Sequence, residues 1–143
     1  MEYINKDITE AKEQIIIIPV NCMGKLSPTQ SKLKKKYPAT ASEYKKYYDE
    51  TEVKKDMLGS VQYILDREHK KLLVNTYCNY TYRQKRKIDT EAFEMCLMQI
   101  AHKCRAPMAI PDSFFYCIKE GYDKAIEIVE RILADREVYI YKR

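Results

Sequence analysis

The residues best placed to do chemistry lie in one stretch, "PVNCMGKLSPTQSKLKKKYP", Pro19 to Pro38. A hydrophobic strand runs into Asn21, Cys22, Met23 and Gly24, as the loop of a nucleotide-binding site begins. A phosphate cradle then needs backbone N–H groups turned toward the anion, and glycines that let backbone and ligand approach closely. Here Gly24 is followed by Lys25, Leu26, Ser27, Pro28, Thr29 and Gln30, and the next glycine is Gly59. The start suits a nucleotide, and the continuation does not suit a phosphate. The other candidate nucleophiles are thiols: Cys22, Cys78, Cys96, Cys104 and Cys117. Their odd number and the lack of any CxxC pair argue for reduced thiols in the cytosol, against a disulfide framework and against zinc. A reactive thiolate wants a basic partner, and neither His69, expected in a hairpin, nor His102, expected on an outer helical face, is placed to supply one.

Alternating elements must position these residues. "EYIN" is a short opening strand, and the β-branched run Ile15 to Pro19 is a buried one. A short helix over Thr29 to Lys36 ends before Pro38. Thr40 or Ser42 caps a second helix, on which Tyr44, Tyr47 and Tyr48 form one stripe. Ser60 to Cys78 reads as two strands joined at Arg67 to Lys70, followed by a basic loop from Asn79 to Lys87. Asp89 or Thr90 starts a helix with Phe93, Cys96, Leu97, Ile100 and Cys104 on one face. "PMAIP" is a strand, Tyr122 to Leu133 a final amphipathic helix, and "EVYIY" a closing strand. This order predicts a three-layer α/β/α fold with a central mixed β-sheet. No repeat or linker divides it, so residues 1–143 read as a single domain.

Composition narrows the setting. At 143 residues, 45% hydrophobic and 33% charged, the chain reads as soluble and globular. The longest apolar run, "IIIIPV", is far too short to span a membrane, and the first residues are polar, unlike a signal peptide. The net charge of +5 is concentrated in "KLKKKYP" (Lys32 to Pro38) and "RQKRK" (Arg83 to Lys87). Such clusters serve nucleic acid when they share a face with aromatics, but charge runs more often face solvent. A nucleic-acid partner therefore has only this weak support.

Read in order, "KDIT" (Lys6 to Thr9), "IIIIPVNCMG", "KKKYP", "LGSVQ", "LLVNTYCNYTYR", "DTEAFEMCL" and "MAIP" resemble a macro domain, in particular the small bacteriophage and bacterial type related to ADP-ribose-processing enzymes. The resemblance spans almost the whole chain. It implies a cleft above the sheet for an ADP-ribose-like nucleotide, with Asp7 and Ile8 near an adenine and Asn21 near the distal ribose. Read by itself, Asp7 is as well a turn or cap residue, and Asn21 a strand-end residue holding its loop. Two glycine-rich loops wrap the pyrophosphate in the family. The first would include Cys22 and Gly24; its further glycines are missing, and Pro28 has no N–H to give. The second reads "IPDSFFYCIKEGYDKA", with Gly121 alone of four expected glycines and Phe114, Phe115 and Tyr116 in the turn. Losing several charge-assisted N–H contacts, each worth roughly 1.5–3 kcal/mol, takes a micromolar ligand to about millimolar or weaker. The stretch from Pro19 thus reads as a former nucleotide loop, rebuilt.

For hydrolase chemistry the resemblance leaves Asn21, Lys25 and Asp112 (or Asp123) as candidates, none in the flanking sequence that would position it, and nothing local to depress the Lys25 pKa. The expectation is a non-catalytic domain acting by binding, with no cofactor and no metal. Its partner is a protein, such as a host protein met by a phage-encoded factor in the host cytoplasm. The alternatives are an ADP-ribose-like nucleotide held with the help of stacking on Phe114, Phe115 and Tyr116, or a weak hydrolase or ADP-ribose-phosphate phosphatase.

Overall fold

The computed structural model describes residues 1–82 and 88–142. The strands are β1 (Glu2–Ile4), β2 (Ile15–Asn21), β3 (Val61–Asp66), β4 (Lys71–Asn79), β5 (Met108–Pro111) and β6 (Val138–Tyr141). They form one sheet in the order β1-β6-β5-β2-β4-β3. Every neighbouring pair is parallel except β3 with β4, the predicted hairpin, so the sheet is mixed with an antiparallel edge. The helices are α1 (Pro28–Leu33), α2 (Ala39–Glu50), α3 (Thr90–Lys103), α4 (Ser113–Cys117) and α5 (Tyr122–Ile132). The basic segment Arg83 to Lys87 lies outside the described residues.

β2 shows why the layers form. It lies between parallel neighbours and is buried along its whole length, as a run of branched residues in a covered parallel sheet must be. Ile15 and Ile17 point to the face covered by α3, α4 and α5, where Phe93, Leu97, Ile100, Phe114, Phe115, Ile128 and Val129 pack. Ile16, Ile18 and Val20 point to the other face, with Leu33 of α1, Tyr37 and Tyr44 of α2. The result is the three-layer α/β/α sandwich that the element order predicts.

Pro19 looks misplaced in a central strand, because it cannot donate to a ladder. The register removes the conflict: β5 pairs with β2 only at Ile15 and Ile16, whereas β4 follows it to Asn21. Beyond Ile16 the strand has one neighbour. A register shift between Val20 and Asn21 then re-aims the strand end, as bulges do. The gap left by the short β5 is the floor of a cleft.

Three local expectations differ. α1 starts and stops earlier than expected, because Ser27 and Gln30 form a reciprocal capping box with Pro28 at the first helical position. Neither Thr40 nor Ser42 caps α2, which begins at Ala39 after Pro38; the Thr40 hydroxyl instead donates to Asn75 Oδ1 at 3.2 Å. Asp89 does cap α3, accepting from the Ala92 amide at 2.9 Å. α4 has no counterpart in the sequence reading, and it changes the site.

Candidate functional site

The cleft opens at the carboxyl ends of β2 and β4, where ligands enter parallel sheets. Its main cavity, about 300 Å³, is walled by Pro19 and Asn21 of β2, Leu26 to Thr29 at the start of α1, Asn79, Tyr82, Ile88, and Ser113 and Cys117 of α4. A recess of about 120 Å³ shares Pro28, Thr29 and Ser113 with it and reaches Lys6, Asp7, Ile8, Lys32, Asp112 and Tyr141. Asn21, Gly24 and Lys25 thus belong to the loop at one end, and Asp7 and Asp112 to the recess at the other.

Asp7 caps the short turn Ile8–Glu10. Its Oδ1 accepts from the Thr9 amide at 3.0 Å and the Thr9 hydroxyl at 2.9 Å, and Lys32 Nζ lies 3.0 Å from Oδ2. Burial alone would raise its pKa, but the Thr9 amide, Lys32 and the Thr9 hydroxyl together hold it below the ordinary carboxylate value. Ile8 is buried beside it. Asp112 is the opposite case: burial raises its pKa, and its own amide, Lys142 and Lys32 offset that only in part.

Asn21 is 1% exposed and its carboxamide is occupied by its own loop. Nδ2 donates to the Lys25 carbonyl at 2.8 Å, and Oδ1 accepts from the Met23 amide and the Tyr44 hydroxyl, each at 2.9 Å. Two further amides are closed in the same way, Ser27 N–H on Gln30 Oε1 at 2.9 Å and Gln30 N–H on Ser27 Oγ at 3.2 Å. Three donors that a cradle could aim at phosphate thus bind side chains of the chain itself. Gly24 keeps its left-handed backbone, with φ +75°, yet the space a Cβ would fill is taken by the Tyr48 ring, 2.9 Å away. Cys22 lies in the core beneath the loop, and burial pushes its thiol up to about 12. Lys25 is exposed, off the cavity wall.

The second loop decides between two readings of Phe114 and Phe115, stacking on a ligand or filling the emptied cleft as core. Both are fully buried in the core under α3 and α5, so the stacking role assigned to them fails. Their rings meet Phe93 at 5.3 Å and Tyr122 at 5.4 Å between centroids. A helical turn at Ser113–Cys117 sends the two consecutive phenylalanines inward. Tyr116 points outward, 64% exposed. Of the five thiols only Cys117 lies on the cavity wall, not Cys22, the one expected in a cleft loop.

Solved structures with the same architecture cover nearly the whole chain. A crystal structure of a protein from Bacteroides thetaiotaomicron aligns at 21% identity and TM-score 0.79 over 99% of this chain and 98% of its own. The macrodomain of Thermus aquaticus DarG aligns at 16% identity and TM-score 0.79, covering 99% and 97%. The chain has the macrodomain fold. Thermosipho africanus DarTG in complex with ADP-ribose is a further neighbour, at 15% identity and TM-score 0.79, with 99% of this chain matching 42% of that one. No protein-family model and no curated protein sequence matches.

In this macrodomain cleft the catalytic candidates do not converge. Asn21 holds a loop, Lys25 is exposed and lines neither cavity nor recess, and Asp112 lines the recess but not the cavity. Sequence reasoning missed the residues that wall the cavity: Leu26, Thr29, Asn79, Tyr82, Ile88 and Ser113. The signal for the first two was present, since S-x-x-Q at Ser27 to Gln30 is a helix-start signature that turns a nominal loop into α1. The Ser113 hydroxyl is buried and has no hydrogen-bond partner among the described residues.

Proposed function

We propose that the chain is a non-catalytic binding domain whose cleft receives an ADP-ribose-type nucleotide or a nucleoside part of one. The observation that carries this reading is the open cavity at the strand ends beside three loop amides closed by Asn21, Gln30 and Ser27. The fold keeps the place for a ligand, and the groups that would drive hydrolysis are spent or apart. The neighbour that carries ADP-ribose supports the ligand class. All five cysteines are free, which suits a reducing compartment such as the cytosol.

The test is calorimetric titration with ADP-ribose, AMP and adenosine, beside an assay for release of ADP-ribose from a modified protein. Saturable binding of at least one of the three with no turnover is expected. Turnover that disappears in Asp112→Ala would remove the non-catalytic part, and no binding by any of them to folded protein would remove the ligand reading.

A second reading, a protein partner, draws on the aromatic cluster beside α4. Tyr116 packs on Tyr122 with centroids 5.1 Å apart, and the Tyr122 hydroxyl meets that of Tyr3 at 3.1 Å. Tyrosines of this kind anchor interfaces. Equal recovery of every captured protein by wild type and Tyr116→Ala would end this reading.

A further inference from the structure

The chemistry of the larger cavity narrows what it takes, given the reading of the cleft as a ligand site. Its walls are apolar on several sides, from Pro19, Leu26, Pro28, Tyr82 and Ile88. Among the described residues no lysine or arginine lines it. A phosphate moved from water into such a site loses hydration with no charge among the described wall residues to replace it. Three backbone donors of the first loop, the Met23, Ser27 and Gln30 amides, are bound internally and are not turned to an anion. Across the second loop, the Asp112 amide donates to the Tyr141 carbonyl at 3.0 Å and the Phe115 amide to the Asp112 carbonyl at 2.9 Å.

What the cavity offers is neutral and polar at a few points. Asn79 is 4% exposed. Its Nδ2 donates to the Thr81 carbonyl at 3.0 Å, while its Oδ1 receives only a long contact, 3.8 Å, from the Cys78 thiol. Ser113 Oγ, on the wall shared by cavity and recess, is buried without a partner. An unsatisfied buried polar atom such as Ser113 Oγ is costly, and a ligand with its own donors would satisfy it and give Asn79 Oδ1 a stronger partner than the thiol. At about 300 Å³ the cavity stands at the small end of ligand sites, closer to one nucleoside than to a dinucleotide-like molecule.

We propose that this cavity binds an uncharged, hydroxyl-bearing ring compound of nucleoside size, with Ser113 Oγ and Asn79 Oδ1 as its hydrogen-bonding points, and that it discriminates against a phosphate. The probes are adenosine, AMP and ADP-ribose, titrated into the full chain and into Ser113→Ala at low and high salt. Adenosine is expected to bind roughly tenfold or more tighter than AMP, about one lost polar compensation, with an affinity that salt leaves unchanged. Ser113→Ala is expected to weaken adenosine roughly two- to tenfold. AMP or ADP-ribose binding tighter than adenosine, weakening with salt, would overturn this assignment and leave the nucleotide-binding reading standing. Adenosine binding equally to Ser113→Ala and wild type would overturn the anchoring role. No binding by any of the three would overturn both readings together.

Discussion

Gly24 carries two separate demands, and they can be measured apart. Its φ is +75°, and a Cβ there would lie 2.9 Å from the Tyr48 ring. Conformation alone is expected to cost Gly24→Ala about 1–2 kcal/mol. The ring, itself under Lys54 at 4.0 Å, must also move, so the loss should be larger in the wild-type background than in Tyr48→Ala; urea denaturation in the two backgrounds measures the difference. Equal losses would show that Tyr48 yields freely. Asp7 gives a pH-dependent case. Its folded pKa is depressed, so it contributes stability above the unfolded value, about 3.9, that is lost as pH falls through the folded one. Asp7→Asn keeps the cap, since Asn caps as well as Asp, and loses the Lys32 pair. Its urea midpoint should therefore fall less steeply with acid than that of the wild type. The cap role of Asp7 was legible as one of its two readings, but the presence of Lys32 at its second oxygen was not, because that contact joins residues far apart in sequence.

The short helices decide how the cleft is built. α1 was legible in outline; its early start follows from the reciprocal bonds of Ser27 and Gln30, a local signature available from four residues. α4 was not legible. "DSFFYC" has no cap side chain bonded at Asp112 and its burial pattern comes from tertiary packing, which overrides propensity in so short a segment. Without α4 the sequence leaves Phe114 and Phe115 open between stacking on a ligand and core, and the helix places both in the core. Phe114→Ala should cost about 3–5 kcal/mol, the range for emptying a buried phenylalanine. Tyr116→Ala, one turn-face away and exposed, should stay within about 0.5 kcal/mol. Thermal melts of the pair check the helix directly: similar losses would mean that α4 does not orient them as described.

At the scale of the molecule, the alternating order of strands and helices was enough to place the layers, because the Ile15–Ile18 run admits only a doubly covered strand. The strand order was read neither from this pattern nor from the macro-domain resemblance, since parallel pairing leaves no local mark in the chain. The cleft's contents escaped both routes: they depend on where β5 stops relative to β2, and on which loop amides are already bonded. The same packing makes a prediction about the whole body beneath the cleft. Cys22, Cys78, Cys96 and Cys104 are buried, and Cys117 alone is partly exposed. Burial pushes the Cys22 and Cys78 thiols up to about 12, so at neutral pH they are protonated as well as covered, and the thiolate is the reactive form. A disulfide reagent should therefore modify one thiol quickly in the native protein, Cys117, and all five in denaturant. If Cys22 reacts at a comparable rate without denaturant, the loop from Asn21 to Lys25 opens on its own. The cavity would then be deeper than its walls of Leu26, Asn79 and Ser113 imply, and the size argument for a nucleoside would give way to one for a larger ligand.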